Sequence, residues 1–236
     1  MHVFYTPDIQ EDATTYALSE EESRHCSKVL RLGIGDKVSL VDGRGGFYHA
    51  EIALETKRQV TLSVISSTLD YQKRNYYIHI AVAPTKNIER LEWFLEKATE
   101  VGIDEITPII CAHSERKIIK EDRLTKVITS AVKQSLQAYH PKLNPAIPFA
   151  DFLTHAGDHQ KMIAHCVDDS SRNYISDVAK PQGSYLILIG PEGDFSPTEI
   201  DTALQSGYKP LTLGNTRLRT ETAALAACFE LNFLNR

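Results

Sequence analysis

The sequence has few of the features that define the common metal-binding and disulfide-rich classes. Its 236 residues include four cysteines, which lie far apart without a CxxC pair and indicate neither a zinc site nor a disulfide framework. No HExxH run occurs among the nine histidines. No hydrophobic run is long enough to cross a bilayer, and no basic start precedes an apolar stretch at the N-terminus. We therefore expect a cytoplasmic protein with no metal and no membrane contact.

The motifs that cradle phosphate or activate a serine are also absent. The chain has no GxGxxG after the first strand of its α/β part, no GxxxxGK[ST] and no GxSxG. These absences disfavour a nucleotide-dependent oxidoreductase, a P-loop enzyme and a serine hydrolase. The run GRGG at 43–46 lies between two predicted strands and is better interpreted as a hairpin turn. The net charge of −5 is spread along the chain, so any RNA contact must be local.

The first third of the chain has the pattern of a small β-rich module with one helix. Ser19 and Glu22 form a capping box that predicts a short helix over about 20–30. From residue 37 to 66 the apolar residues alternate as in strands, with turns at 43–46 and 57–59. This pattern predicts a meander or small barrel.

From residue 77 onward, predicted strands alternate with predicted helices. Apolar strands such as 77–85, 186–189 and 211–214 are separated by segments with helical periodicity, including 121–139 and the closing helix from 220. This alternation predicts a parallel α/β sheet. We therefore divide the chain into two domains, 1–72 and 73–236.

Two loops of the second domain have an unusual composition. IGPEGDFSPTEI at 189–200 joins a strand to a helix, with two glycines that let a flat ligand approach the backbone or serve only as turn residues. Ser196, Pro197 and Glu199 predict a firm helix start there. In LGNTRLRTETAAL at 213–225, Thr220 or Thr222 can cap the last helix. Because strand-end loops of open α/β sheets bind small molecules, both loops indicate a ligand site.

Two arginines precede the last helix, at 217 and 219. Guanidinium groups beside a helix N-terminus suit an anionic partner such as a phosphate or carboxylate. The alternative is a pair of surface arginines that form ion pairs with Glu192 or Glu221, and the spacing alone leaves both interpretations open.

These two loops, together with EKATEVGIDEITPIICAHSER at 96–116, resemble the signature segments of SPOUT-class RNA methyltransferases, and most closely those of the RsmE family. The resemblance covers nearly the whole chain, since KVLRL at 28–32 and VDGRG at 41–45 are similar to the small PUA-like domain of that family. Two segments depart from the family pattern. Asp194 stands where the family commonly has the last glycine of GPEGG, and KQSLQAYHP at 133–141 replaces an EQSGR-like run.

The resemblance implies an α/β fold, namely a SPOUT-type parallel sheet with a C-terminal trefoil knot, plus a small N-terminal PUA-like β-barrel domain that helps to hold RNA. It implies S-adenosyl-L-methionine as cofactor, N3 of a uridine in 16S ribosomal RNA of the small ribosomal subunit as target, and a homodimer. A methyltransferase with another RNA target, such as transfer RNA, and an RNA-binding protein without catalysis are the alternatives.

The same resemblance, with the chemistry of the residue types, gives the candidate site residues. Because uridine N3 attacks a methyl group well only as an anion, Arg219 is expected to stabilise the developing charge, and Glu192 or Glu221 to accept the proton. The cofactor is expected to contact His165, Cys166, Ile189, Gly190, Pro191, Glu192, Gly193, Leu213, Gly214, Leu218, Arg219, Thr220, Thr222 and Ala223. The RNA is expected to contact Arg24, Lys28, Arg31, Arg116 and Lys133, although a solvated surface charge is the plainer interpretation of any one of them.

Overall fold

The computed structural model of the chain describes residues 2–155, 157–166 and 173–236. The chain forms two compact units. The first contains Met1–Lys73 and Thr129–His140, and the second contains Arg74–Ile128 and Pro141–Arg236. Within the described ranges, no helix has the length and apolar composition needed to cross a membrane.

The first unit is built on a five-stranded sheet with one helical segment. The strands follow the order β1-β3-β4-β5-β2, and all neighbours are antiparallel except β1 and β3. The predicted helix over 20–30 is confirmed, but it changes from an α-helix to a π-helical turn at His25–Val29. The elements are β1 Val3–Tyr5, β2 Thr15–Ala17, α1 Glu20–Arg24, β3 Lys37–Val41, β4 Phe47–Glu55 and β5 Val60–Thr68.

The GRGG run forms the hairpin turn between β3 and β4, as its flanking strands predict. Asp42 organises the turn: its buried Oδ1 accepts hydrogen bonds from the Arg44 N–H at 2.7 Å and from the Gly46 N–H at 2.8 Å. The core of the unit packs on one side of this sheet and includes Phe4, Leu40 and Tyr48.

The segment Thr129–His140, distant in sequence, completes the first unit. The Ala138 carbonyl accepts a hydrogen bond from the Gly45 N–H, and the His140 N–H donates to the Gly43 carbonyl. Leu136 follows the last residue of helix α3 (Glu121–Ser135) with φ +60°, the left-handed conformation that usually belongs to glycine at a helix end. The segment KQSLQAYHP, which departs from the family pattern, therefore has the backbone geometry of a helix terminus that ends in glycine, although it contains no glycine.

The second unit contains the predicted alternation of strands and helices. Its sheet has the order β12-β10-β11-β6-β7-β8, with β9 also paired to β7, and every pair is parallel. The predicted parallel sheet is confirmed. Its elements, besides α3, are β6 Tyr77–Val82, α2 Ile88–Val101, β7 Glu105–Ile110, β8 Lys142–Leu143, β9 Ile147–Pro148, α4 Phe149–His155, β10 Gln160–Ala164, α5 Ile175–Val178, β11 Ser184–Ile189, α6 Pro197–Gln205, β12 Lys209–Leu211 and α7 Thr220–Leu234.

A hydrogen-bonded polar network lies near the amino ends of β6 and β7. Glu105 accepts hydrogen bonds from the Tyr77 hydroxyl at 2.7 Å and from the Asn144 amide at 2.6 Å. His79 lies beside it, with Nε2 2.8 Å from the Thr107 hydroxyl and Nδ1 3.9 Å from the Glu105 carboxylate. Burial lowers the pKa of His79 to about 4. Burial alone would raise the pKa of Glu105, but the donated hydrogen bonds and the neighbouring imidazole outweigh it and lower the pKa to about 2.

Candidate functional site

Three neighbouring strands of the second unit end at the same level. Ala164 of β10 lies opposite Ile189 of β11 and also opposite Leu211 of β12. Because the strands are parallel, the segments that follow them leave the sheet at one edge, the edge where open α/β sheets bind ligands. The two loops identified from composition therefore begin side by side.

The loop after β11 is short and closely packed. A Cβ atom at Gly190 would lie 3.0 Å from the Phe195 ring, so a larger residue at position 190 would displace that ring. Helix α6 begins with a complete capping box, in which Ser196 Oγ accepts from the Glu199 N–H and the Glu199 carboxylate accepts from the Ser196 N–H. This helix start was predicted from sequence and is confirmed.

Thr220 joins the loop before α7 to the loop after β11. Its buried hydroxyl donates a hydrogen bond to the Gly190 carbonyl at 3.0 Å. Helix α7 begins at Thr220 and its N-cap residue is Arg219, so the prediction that Thr220 or Thr222 caps the helix is wrong. The Thr220 side chain instead stabilises the contact between the two loops.

A cavity of about 230 Å³ lies at this junction. A second cavity, of about 570 Å³, shares Cys166 and Arg217 with the first. The first is lined by Ala164, Cys166, Ile189, Gly190, Pro191, Glu192, Asp194, Arg217, Leu218, Arg219, Thr220 and Ala223. The second is lined by Cys166, Tyr174, Thr212, Gly214, Asn215, Thr216 and Arg217. Segments after three different strands thus contribute to two adjacent cavities.

Most of the residues predicted to contact the cofactor line these cavities. Those brought together are Cys166, Ile189, Gly190, Pro191, Glu192, Gly214, Leu218, Arg219, Thr220 and Ala223. The other four lie beside the lining: His165 is buried directly before Cys166, and Gly193, Leu213 and Thr222 are at least partly exposed. Glu221, predicted as a proton acceptor, is buried in the first turn of α7.

The charged groups at the cavity differ in how firmly they are held. One carboxylate oxygen of Glu192 accepts a hydrogen bond from the Lys86 N–H at 3.0 Å, which fixes its side chain. Arg217 and Arg219 are exposed, and neither has a carboxylate within 4.0 Å in the described part of the chain. The alternative in which these arginines pair with Glu192 or Glu221 is therefore not what the structure contains. Apart from a 3.5 Å hydrogen bond from Arg217 Nη2 to the Glu192 carbonyl, both guanidinium groups are available to an anionic ligand as far as the described residues go.

Glu221 has a different environment from Glu192. Its side chain is buried, and its Oε2 has no hydrogen-bond partner among the described residues. It does not belong to the lining of either cavity in those residues. Direct proton transfer is thus geometrically simpler for Glu192 than for Glu221.

The first unit has a groove of about 710 Å³ whose lining includes four cationic side chains and two carboxylates, Glu20 and Glu55. Arg24 and Lys28, both predicted to contact RNA, lie there with Lys57 and Arg58 from the β4–β5 turn. In the described ranges, none of these four side chains has a carboxylate within 4.0 Å. Because its cationic side chains outnumber its carboxylates by four to two, the groove is suited to a polyanion.

The other residues predicted to contact RNA do not join that groove. Arg31 is exposed, with φ +57°, and is not part of the lining. The Lys133 ammonium forms an ion pair with Glu22 at 2.8 Å. In the second unit, Arg116 donates hydrogen bonds to the carbonyls of Thr85 and Lys86.

Comparisons with known proteins agree with this geometry. The family model described as an RNA methyltransferase domain matches residues 72–232, more than half of the chain. The chain belongs to this RNA methyltransferase family. A second model, described as an RNA methyltransferase PUA domain, matches residues 18–65 in the β-rich unit.

Three relatives of this RNA methyltransferase span nearly its whole length. Ribosomal RNA small subunit methyltransferase E of Bacillus subtilis (strain 168) is 28% identical over 235 residues, 94% of this chain and 91% of that protein. A probable rRNA-methyltransferase from Porphyromonas gingivalis is 42% identical in its crystal structure, with a TM-score of 0.90 over 100% of this chain and 98% of the other. The crystal structure of ribosomal RNA small subunit methyltransferase E from Neisseria gonorrhoeae bound to S-adenosyl methionine is 27% identical, with a TM-score of 0.88 over 100% and 98%.

Sequence reasoning missed several residues at the sites of this RNA methyltransferase. Lys57 and Arg58 were assigned only to a turn, and their approach to Arg24 and Lys28 depends on tertiary packing. Asp194 was noted as a departure from GPEGG, yet it lines the cavity. Its position at the carboxyl end of a predicted strand was the available signal.

Proposed function

We propose that this RNA methyltransferase transfers a methyl group from S-adenosylmethionine to N3 of a uridine in 16S ribosomal RNA. The observation that carries the proposal is the cavity at the ends of β10, β11 and β12, lined jointly by residues of the loop after β11 and of the segment that leads into α7. The names of the relatives from Bacillus subtilis and Neisseria gonorrhoeae support the ribosomal RNA substrate, and the ligand in the latter's title supports the cofactor. We further propose that the protein acts in the cytoplasm, where ribosomal RNA is its substrate.

The residues around the cavity fit the chemical groups of S-adenosylmethionine. The exposed guanidinium group of Arg217, which lines both cavities, suits its carboxylate, whereas the carboxylate of Glu192 suits its cationic ammonium and sulfonium groups. The apolar Ile189 and Leu218 offer surface for the adenine ring. Together the two cavities have the size that small-molecule sites usually have, about 300–1,000 Å³.

The chemistry assigns separate tasks to the charged side chains. When bound, S-adenosylmethionine supplies an electrophilic methyl group. Uridine N3 must lose its proton to become a good nucleophile, and the negative charge then spreads onto the two uracil carbonyl oxygens. Arg219, exposed at the cavity and free of any described carboxylate partner, stabilises that charge. Glu192, fixed by the Lys86 N–H, accepts the proton directly or through water, and Glu221 is the second candidate for this role.

Methylation of ribosomal RNA by the purified protein tests the reaction and the role of Arg219 together. Small subunits that lack the modification are incubated with labelled S-adenosylmethionine, and their nucleosides are analysed by mass spectrometry. We expect N3-methyluridine in 16S ribosomal RNA. Arg219→Ala should lower the methylation rate by about 100-fold or more while calorimetry gives nearly the wild-type cofactor affinity. Full methylation by Arg219→Ala would remove the proposed role of Arg219.

The matched variant Arg217→Ala separates binding from chemistry. Arg217 lines both cavities, so its loss should weaken cofactor binding more than it slows methylation at saturating cofactor. Methylation of transfer RNA instead of 16S ribosomal RNA would favour the alternative target. An absence of any heat of binding with S-adenosylmethionine would favour an RNA-binding protein without catalysis.

We propose that the basic groove of the first unit binds the phosphate backbone of the RNA. The proposal rests on Arg24, Lys28, Lys57 and Arg58, whose charges have no described carboxylate within 4.0 Å. The roles of Arg31, Arg116 and Lys133 in RNA binding remain predictions. Lys133 would have to give up its ion pair with Glu22, and Arg116 its backbone hydrogen bonds, before either could bind phosphate directly.

The salt dependence of RNA binding tests whether this groove contacts phosphate groups, and it does so independently of methylation. Each lost phosphate contact reduces the slope of log K against log salt by about 0.7–0.9. Lys57→Gln with Arg58→Gln should therefore lower the slope by about 1.4–1.8 if both side chains contact phosphate. Lys37→Gln is the control, because Lys37 is exposed in the same unit but does not line the groove. An unchanged slope in the double variant would exclude the groove as a phosphate site.

We propose that the chain consists of two domains. Residues 1–72 are assigned to the PUA-like domain that holds RNA, and residues 73–236 to the SPOUT methyltransferase domain with a C-terminal trefoil knot. The position of β12 beside β10 and the return of Thr220 to Gly190 support a chain path of this kind. A homodimer is expected in sedimentation equilibrium, and a monomer at micromolar concentration would contradict it.

A further inference from the structure

Asp194 occupies an unusual backbone conformation at the cavity. Its φ of +64° lies in the left-handed region, which is uncommon for residues other than glycine and is tolerated best by Asn and Asp. Its N–H donates to the Pro191 carbonyl at 2.9 Å, which closes the turn 191–194. Glycine would adopt this turn with no steric cost, so the aspartate carries a conformational cost that glycine would not.

The Asp194 carboxylate connects two strand ends. Its Oδ1 accepts a hydrogen bond from the Phe195 N–H at 2.8 Å, within its own loop. Its Oδ2 accepts a hydrogen bond at 2.8 Å from the N–H of Cys166, which follows β10. Hydrogen bonds to an ionised carboxylate are among the stronger ones in proteins. The segments after β10 and β11 are therefore held together by one side chain whose two oxygens both accept a bond.

A third strand end is fixed to the same residue. His113, which follows β7, places its Nδ1 3.0 Å from the Asp194 carbonyl oxygen and 3.2 Å from the Gly193 carbonyl oxygen. The backbone of the loop is thus restrained by β7, while the side chain restrains Cys166. Both Cys166 and Asp194 line the cavity of about 230 Å³, so their separation sets part of its shape.

We propose that Asp194 is a positioning residue of the cofactor site, whose carboxylate holds Cys166 and the loop after β11 at the separation that the ligand requires. The inference rests on the proposed function, because the ligand is taken to be S-adenosylmethionine. A glycine at position 194 would adopt the left-handed backbone readily but could not connect the two walls of the cavity. The Asp194 side chain makes that connection.

Three substitutions separate the hydrogen bonds from the backbone strain. Asp194→Gly removes both hydrogen bonds and relieves the left-handed conformation. Asp194→Ala removes both and keeps the strain, so it should melt about 2–4 °C below Asp194→Gly. Asp194→Asn tolerates the conformation but keeps only one acceptor oxygen. If Asp194 positions the site, the Gly and Ala variants should both bind S-adenosylmethionine about tenfold more weakly in calorimetry, although their melting temperatures differ.

Gln182→Gly is the matched control for strain relief. Gln182 has φ +57° and precedes β11 at the opposite edge of the same sheet, where its N–H donates to Asn235. This variant relieves a left-handed backbone conformation and leaves the Asp194 carboxylate in place, so it should raise the melting temperature without changing cofactor affinity. A cofactor affinity that follows melting temperature across all four variants, or a wild-type affinity in Asp194→Gly, would overturn the proposal.

A measurement without cofactor distinguishes failure of this inference from failure of the proposed function. Cys166 is exposed, whereas Cys26, Cys111 and Cys228 are buried, so a thiol reagent reports mainly on Cys166. Its labelling rate should rise several-fold in Asp194→Gly and remain unchanged in Gln182→Gly. An unchanged rate in Asp194→Gly would show that the carboxylate does not hold Cys166. A raised rate in a protein that does not bind S-adenosylmethionine would contradict the cofactor instead.

Discussion

Acidification should destabilise the protein in two separate pH ranges because of the network around His79 and Glu105. The unfolded chain protonates His79 near its ordinary pKa of 6.5, whereas burial keeps the folded imidazole neutral until about pH 4. Protons therefore bind preferentially to the unfolded state as the pH falls from 6.5 to 4. At about 1.4 kcal/mol for each factor of ten in the binding constant, the loss approaches about 3 kcal/mol as an upper limit.

Protonation of Glu105 also lowers the unfolding free energy as the pH falls, but it does so at lower pH than protonation of His79. Its folded carboxylate stays ionised to about pH 2, while the unfolded chain takes up the proton near its ordinary value of 4.5. The stability contributed by Glu105 is thus fully present above 4.5 and is lost as the pH falls from 4.5 toward 2. The His79 range ends about where the Glu105 range begins, so the two effects can be measured in turn.

Urea unfolding of the wild type and of His79→Gln across a pH series isolates the histidine. Glutamine can still hydrogen-bond to Thr107 but does not titrate. The difference in unfolding free energy between the two proteins should change by about 2 kcal/mol between pH 7 and pH 4.5, in the direction of a relatively more stable variant at low pH. Parallel curves over that range would refute the reasoning, because they would mean that folding does not disfavour the charged imidazole.

Three further predictions concern the backbone of the two units. Leu136→Gly should raise the unfolding free energy by about 0.5–1 kcal/mol, because it removes a side chain from a left-handed position, and an unchanged urea midpoint would contradict this. Thr220→Val should cost about 1–3 kcal/mol and weaken cofactor binding, since the Gly190 carbonyl loses its donor, whereas Thr220→Ser should restore both in calorimetry. Asp42→Ala should lower stability by about 2–3 kcal/mol through two lost hydrogen bonds in the hairpin, and a melting temperature within 1–2 °C of wild type would be inconsistent with that role.

The parts of the fold that follow from local chemistry were predictable. Helix α6 begins where Ser196 and Glu199 form their capping box, and the parallel sheet follows from strands that alternate with helices. The predicted strand at 211–214 lies instead at Lys209–Leu211, and Gly214 belongs to a loop with φ +122°. The two-residue strands β8 and β9 have no periodicity of their own and exist only because β7 offers them an edge.

The candidate site shows the same division between local and long-range causes. Its loops could be found from glycine content and from their positions at strand ends. The donor to the Gly190 carbonyl, Thr220, could not be assigned in advance, because a threonine at a helix start more often serves as a cap. The bond from Cys166 to Asp194 joins residues 28 positions apart, and no pattern within one element predicts it. Contacts of this kind are fixed by packing after the sheet has formed.

The assignment of Thr129–His140 to the first unit has a consequence for biosynthesis. A nascent chain that has emerged only as far as Lys73 lacks the residues that bond to Gly43 and Gly45, so its β-rich module is unfinished. Translation must continue through residues 74–128 and on to His140 before that module can close. Ribosome-bound intermediates stalled before and after residue 140 should therefore differ in the protease resistance of the first 70 or so residues, although both contain them.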